Sequence, residues 1–535
     1  MLGAVVEFII LVYIIESFTG SVIENYSATT CRRVCTDHIG DSDEVQALVH
    51  EDDALSDFTN FDSDDAVFQE FDSPLGSSGK MAWKLSRPPA WKSALTCFKT
   101  VFIIQFLFGF SIGLLAIAIA VIDFNTADLC YEKTFRWSSM PRIIQGIRVT
   151  GQCVEGFFIQ LWHFCIMLCV FGCSTMKELN LLTINLLAAF TDTIYRLCLQ
   201  IFGIYKRPWM SYPLNVLSVS VIIGNSLIIA KRIIPAPMYS KKAVSNVAGV
   251  LAVQFILGLP VCYALVYKIL PWYNEKTEIE KVFIAGVIPI VVSVPKVIAR
   301  TAVPKLNLVH PGVLHLLVSI LYTATAVVSR IMQAELIHFS LFVALGVGHA
   351  MIDLVERITV TMRDHIWEYA YKLLSRCSRS QTRDFHAGKA RTPRSMRFVA
   401  DISIQLLLTE AGALVSSVGF IQLYKFMYPD QNMQTPENYF SFLILEFIKR
   451  CFTGLAIDIV FNTISVWLQV TLFNIAVLRV WNTKWRSHVV TNVVCMVLVF
   501  LYFSEYLFPI VRGKNDGKIA KRFAFNCSLP FSKFY

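Results

Sequence analysis

The chain predicts an all-α, polytopic transmembrane bundle of about eleven helices, preceded by a disordered acidic region. Three observations predict it. Apolar runs near the roughly 20 residues needed to cross ~30 Å of hydrocarbon recur through residues 100–511. Hydrophobic residues make up 55% of the 535, and mean hydropathy is +0.55. The period-2 alternation of a membrane barrel is absent, and within hydrocarbon a lone segment satisfies its own backbone only as a helix.

The runs fall at about 100–124, 155–176, 181–205, 213–230, 246–268, 282–299, 311–332, 334–355, 398–425, 451–478 and 488–511. Lys and Arg in short loops are retained on the cytoplasmic side. Lys80, Lys84, Arg87, Lys92 and Lys99 precede the first run, and alternate loops stay basic. Residues 357–397 carry ten cations against three acids, whereas 426–437 holds no Lys or Arg. The region before residue 100 and the 357–397 loop are therefore expected in the cytoplasm. The basic tail 512–535 is expected to be lumenal or extracellular, where the sequon at Asn526 could be glycosylated. Residues 438–450, apolar but interrupted by Glu446, Lys449 and Arg450, read as an interfacial or re-entrant helix leading into the tenth span.

Residues 1–36 read as a marginal apolar anchor and juxtamembrane segment. Glu7, Glu16 and the lack of a basic start make 2–19 a poor signal peptide. Residues 37–80 read as a disordered cytoplasmic segment, because 37–72 holds thirteen acids and no Lys or Arg. Taking those acids from the net charge of +9 leaves the remainder at +22. Phe58, Phe61, Phe68 and Phe71 are set in this acid, a pattern by which tails dock on basic pockets of partner proteins. The alternatives are a solvated tail, or one folded back on 357–397. Residues 81–511 form the membrane domain. Anionic lipid is the expected partner of its basic loop; nucleic acid is not.

Cys130 and Cys153 fall in the first external loop and suggest a disulfide in an oxidising lumen. Cys165, Cys169 and Cys173 lie on one helical face beside His163, which reads as small-residue packing rather than a metal site. No cofactor is expected, and the chain lacks a P-loop, zinc-protease, nucleophile-elbow or dinucleotide pattern.

Function is read from polar residues placed where they are costly. The third run carries Asn185, Asp192, Arg196 and Gln200. The ninth carries Asp401, Gln405, Thr409, Gly412, Ser416, Gly419 and Gln422 on one face, with Glu410 one position off it. The tenth carries Gly454, Asp458, Asn462, Ser465 and Gln469. A mid-membrane charge costs about 2.5–3.5 kcal/mol even on insertion scales, so these faces avoid lipid. In one reading the three helices converge on a wet path for an ion, solute or lipid, lined by Asn185, Asp192, Arg196, Gln405, Glu410, Asp458, Asn462 and Gln469. In the other they cement a packed bundle, with Asp192 and Arg196 paired across one turn. Pro260, Pro289 and Pro295 are expected to break the fifth and sixth spans, as in many transporters. The leading reading is therefore a pathway-forming membrane protein. The alternatives are a non-catalytic subunit of a membrane assembly and a lipid acyltransferase using His349 and Asp353; the balance leans away from an enzyme.

Overall fold

The computed structural model describes residues 67–74, 82–122, 137–204, 208–234, 239–306, 309–358, 393–427 and 436–513. Thirteen helices organise them: α1 (Ala90–Phe102), α2 (Phe110–Ile122), α3 (Arg142–Glu178), α4 (Leu181–Ile201), α5 (Ser211–Ile233), α6 (Lys241–Leu251), α7 (Val253–Ala264), α8 (Glu278–Ala302), α9 (Leu316–Glu335), α10 (Phe339–Ile358), α11 (Pro393–Met427), α12 (Pro436–Phe473) and α13 (Val477–Gly513). A π-type stretch, Ile103–Gly109, joins α1 to α2. Ten helical runs are long and apolar enough to cross a membrane, and the bent pair α6–α7 makes an eleventh. Each of the eleven expected segments is thus a helix.

The helices are not equivalent. In α11 the most apolar window is 94% buried, against 28–33% in α4, α5, α8 and α10. α11 runs through the middle and packs on α2, α9, α12 and α13, while α3 to α5 form a neighbouring group that touches the rest through α5, which packs on α6, and through α3, which meets α9 and α13. Glycine sets the closest approaches. A Cβ on Gly113 would lie 2.6 Å from the Cβ of Val415, and one on Gly109 2.5 Å from that of Ala411. This is the small-residue contact by which membrane-type helices gain dispersion without a hydrophobic drive between them.

Four expectations are corrected. First, α3 begins at Arg142, so Cys153 lies within a helix, buried, with its thiol 3.8 Å from the Thr193 carbonyl; Cys130 lies outside the described residues. Second, 438–450 is no separate element but the first part of α12. Its charges are absorbed locally: Glu446 pairs with Arg450 at 2.6 Å, and the Arg450 guanidinium donates to the carbonyls of Ala334, Leu336 and Ile337 at 2.8–3.1 Å. It thereby caps the C-terminal end of α9, whose last carbonyls have no helical partner.

Third, the prolines do not break their helices. α7 continues through Pro260 and α8 through Pro289 and Pro295, and the 49° bend falls at Ala252 between α6 and α7. A proline frees the carbonyl four residues earlier. For Pro289 that is Ala285, whose oxygen lies 3.0 Å from Nε2 of His349. Fourth, the ends of the basic loop are buried rather than lipid-facing. Arg357 belongs to α10 and points inward, Arg394 donates to the carbonyls of Pro304, Leu306 and Val309, and Arg397 pairs with Asp401 at 3.0 Å. Residues 359–392, 1–66 and 514–535, with Phe58, Phe61 and Asn526, lie outside the described residues.

Replacing Gly113 by Val should push α2 off α11 and cost about 1–3 kcal/mol, the usual penalty of overpacking. A lowered thermal midpoint of the detergent-solubilised protein would report it.

Candidate functional site

The polar faces do not meet at one centre. They sort into three clusters.

The central cluster joins α9, α10, α11 and α12. Arg330 donates to Asp458 at 2.7 Å and to the Gln333 side-chain oxygen at 2.8 Å, and Gln333 donates onward to the Phe342 carbonyl. Space for Gln333 is left by Gly346, where a Cβ would lie 2.7 Å from the amide nitrogen. One helical turn away, Arg357 donates to Glu410 at 2.5 Å and to Asn462 at 2.7 Å, while Asn462 donates to the other Glu410 oxygen at 2.9 Å. This is a closed three-residue ring. All six side chains are buried. Asp353 stands beside it, within electrostatic reach of Arg357, Glu410, Glu356 and Lys296, and makes no hydrogen bond to a described residue. A cavity of ≈ 20 Å³ adjoins the ring, bordered by Arg300, Tyr322, Glu356, Arg357 and Gln469. That is room for about one water. Gln469 is fully buried and neither end of its amide has a protein partner, so a water there would meet real demand.

The second cluster lies between α11 and α13. Asp401 accepts from Arg397 and sits 3.1 Å from His488 Nε2. Gln405 donates to His488 Nδ1 and to the His488 carbonyl, both at 3.0 Å, and Asn492 donates to Thr409 at 2.7 Å. The ring of His315 lies against that of His488, centroids 4.7 Å apart. His315, Asp401 and His488 bring one donor atom each within 4.8 Å of one another, a set that invites a metal reading. The chemistry argues otherwise. Donation to a backbone carbonyl fixes the Gln405 amide, so the His488 proton sits on Nε2 and faces Asp401. Arg397 already cancels the carboxylate charge, and a divalent ion would arrive in a dry site uncompensated.

The third cluster belongs to α3, α4 and α5. Asp192 pairs with Arg196 at 2.5 Å and accepts from Gln160 at 2.8 Å. Gly156 gives them room, since a Cβ there would collide with both. Asn185 and Asn225 exchange amide hydrogen bonds at 2.9 and 3.1 Å beside His163 and Ser226.

Of the expected pathway residues, Glu410, Asp458 and Asn462 therefore come together, with Gln469 at the adjoining cavity. Gln405 faces α13 instead. Asn185, Asp192 and Arg196 spend their polar groups on α3, α4 and α5. Reading stripes missed Arg330, Gln333 and Arg357 in the centre, His488 and Asn492 on α13, and Gln160 beside α4. Arg330 was findable as the lone cation of the 311–332 run. Arg357 was hidden by its place at the head of a basic loop. His349 is 4% exposed with Nε2 committed to Ala285, which leaves that nitrogen unable to serve as an acyltransferase base. Comparison with protein-family models, curated proteins and solved structures yields no match to this chain.

Arg330→Leu or Asp458→Leu alone should each cost about 3–5 kcal/mol, because the partner is left as a buried unpaired charge. The double replacement should recover most of that loss. Thermal unfolding of the four proteins in detergent closes this cycle.

Proposed function

We propose that the chain is a multi-pass membrane protein whose centre forms an occluded pathway for a proton, cation or small polar solute, held shut by the Arg330–Asp458 pair and the Arg357–Glu410–Asn462 ring. One observation carries the reading: two arginines and two acids, with Asp353 beside them, lie in the most enclosed part of a bundle of apolar helices. Buried ion pairs contribute little stability compared with apolar side chains of like volume, and ionisable groups at membrane depth are functional by default. The partnerless Gln469 amide and the water-sized cavity supply a polar step next to the ring. Asp353, close to Arg357 but not bonded to it, is positioned to take over that arginine when Glu410 is protonated or engaged by a cation. The exchange would open the ring without leaving a bare charge. The loop charges orient this machine with residues 67–74 and 359–392 in the cytoplasm.

A second reading, a non-catalytic subunit of a membrane assembly, is favoured by the same saturation. Every charge of the ring is met inside the chain, and the adjoining cavity holds about one water. The two readings diverge under neutral replacement. Asp458→Asn and Glu410→Gln should abolish ion or proton flux in vesicles reconstituted with the purified protein; each also leaves an arginine without its charge partner and lowers the thermal midpoint, so flux is compared on protein that keeps its helical content and elution volume. Flux equal to that of the parent chain, or no flux above empty vesicles for the parent chain across protons and alkali cations, rejects the pathway and leaves the subunit.

A further inference from the structure

Residues 67–74, the end of the acidic tail, lie along the turn between α12 and α13, bending at Glu70 and Phe71. Asn474, in the left-handed region at φ 56°, shapes that turn and presents both its main chain and its amide. The Glu70 N–H donates to the Asn474 carbonyl at 3.3 Å, the Phe71 N–H to the Asn474 side-chain oxygen at 2.8 Å, and the Asn474 amide returns a bond to the Phe71 carbonyl at 3.1 Å. Gln69 pairs antiparallel with Ile475. One Glu70 carboxylate oxygen accepts the N–H groups of Leu478 and Arg479, both at 3.2 Å, in the first turn of α13. The Arg479 guanidinium donates to the Gln69 carbonyl and to Asp72, and that of Arg397, from α11, reaches the Val67 carbonyl. Phe68 is buried, and Phe71 stacks on Trp83 with centroids 6.4 Å apart.

These contacts have the logic of peptide capture rather than of a core. Affinity comes from main-chain pairing, and selectivity from two aromatic anchors and a carboxylate at a helix start. The turn asks only for a short segment with the pattern Phe-x-acid-Phe-acid that bends at its central acid. We infer that the turn between α12 and α13 is a reversible docking site for a short acidic–aromatic segment, occupied in this chain by its own residues 67–74. Its occupancy falls as pH rises. Glu70 is the titrating group. The charged and titratable groups around it are Arg479 on α13, the Cys97 thiol on α1 and Asp72 on its own strand, with Arg397 further along at Val67. Burial outweighs the two amides and Arg479 and lifts its carboxyl from 4.5 to about 7. A raised carboxyl binds a proton more readily when docked. The gain is complete below the undocked value and is lost as pH rises through the docked one, so docking should be about 20-fold tighter at pH 5.5 than at pH 7.5.

The test uses the full-length detergent-solubilised chain carrying Phe68→Ala and Phe71→Ala, and a synthetic peptide of residues 66–74 bearing a pH-insensitive dye. Fluorescence anisotropy should show the peptide binding this variant more tightly than it binds the parent chain, with the 20-fold preference for pH 5.5. A peptide with Glu70→Gln should bind equally at both. Lack of peptide binding, or binding of the unaltered peptide that ignores pH, overturns the inference. Hydrogen exchange in the unaltered chain gives an independent measure should the variant misfold. The amides of Glu70 and Phe71 should open faster at pH 7.5 than at 5.5 after correction for intrinsic rates. Protection as deep as that in α11, the same at both pH values, also overturns it.

Discussion

A helix enclosed on every side has to find partners inside the protein for the charged and polar groups it carries, and α11 does so for its charges and for all its stripe but the Gln422 amide. Around it the other helices are arranged by obligation. Asp401 and Gln405 call for His488 on α13, Thr409 for Asn492, and Glu410 for Arg357 on α10 and Asn462 on α12. An unmet buried acid costs far more than a met one returns. These demands therefore contribute less to overall stability than to selecting one register among the many that greasy helices could adopt. The close glycine contacts with α2 complete the selection by shape.

The segments were legible because length and apolarity suffice for them, and all eleven are helices. Which faces meet was not. The stripe from Asp401 to Gln422 looks like the lining of a path when α11 is read alone, yet it is served largely by α13, whose first half is polar on every side and so advertises no one face. Glu410, one position off that stripe, is the residue that reaches the centre. Periodicity reports which residues share a side of a helix and carries no information about what stands opposite. The polar residues of α4 illustrate the same limit, because Asp192 and Asn185 find Gln160 and Asn225 on helices adjacent in sequence.

Charge was misleading at the two ends of the basic loop. A loop with ten cations reads as a membrane-surface patch, but Arg357, Arg394 and Arg397 at its ends act inside the fold. One closes the central ring, another gathers the carbonyls that follow α8, and the last fixes Asp401. Proline was misleading for a different reason. The carbonyl that a proline releases can be served from another helix, and at Ala285 an imidazole from α10 serves it.

That imidazole has a mechanical consequence. A slide of α10 along α8 by a single residue, ~1.5 Å, would strip the buried Ala285 oxygen of its donor. The two helices are in effect bolted, and any rearrangement that parts the core has to carry them as one rigid strut. The compliance must then come from elsewhere, at the Ala252 elbow or at Lys484, where α13 departs from helical geometry.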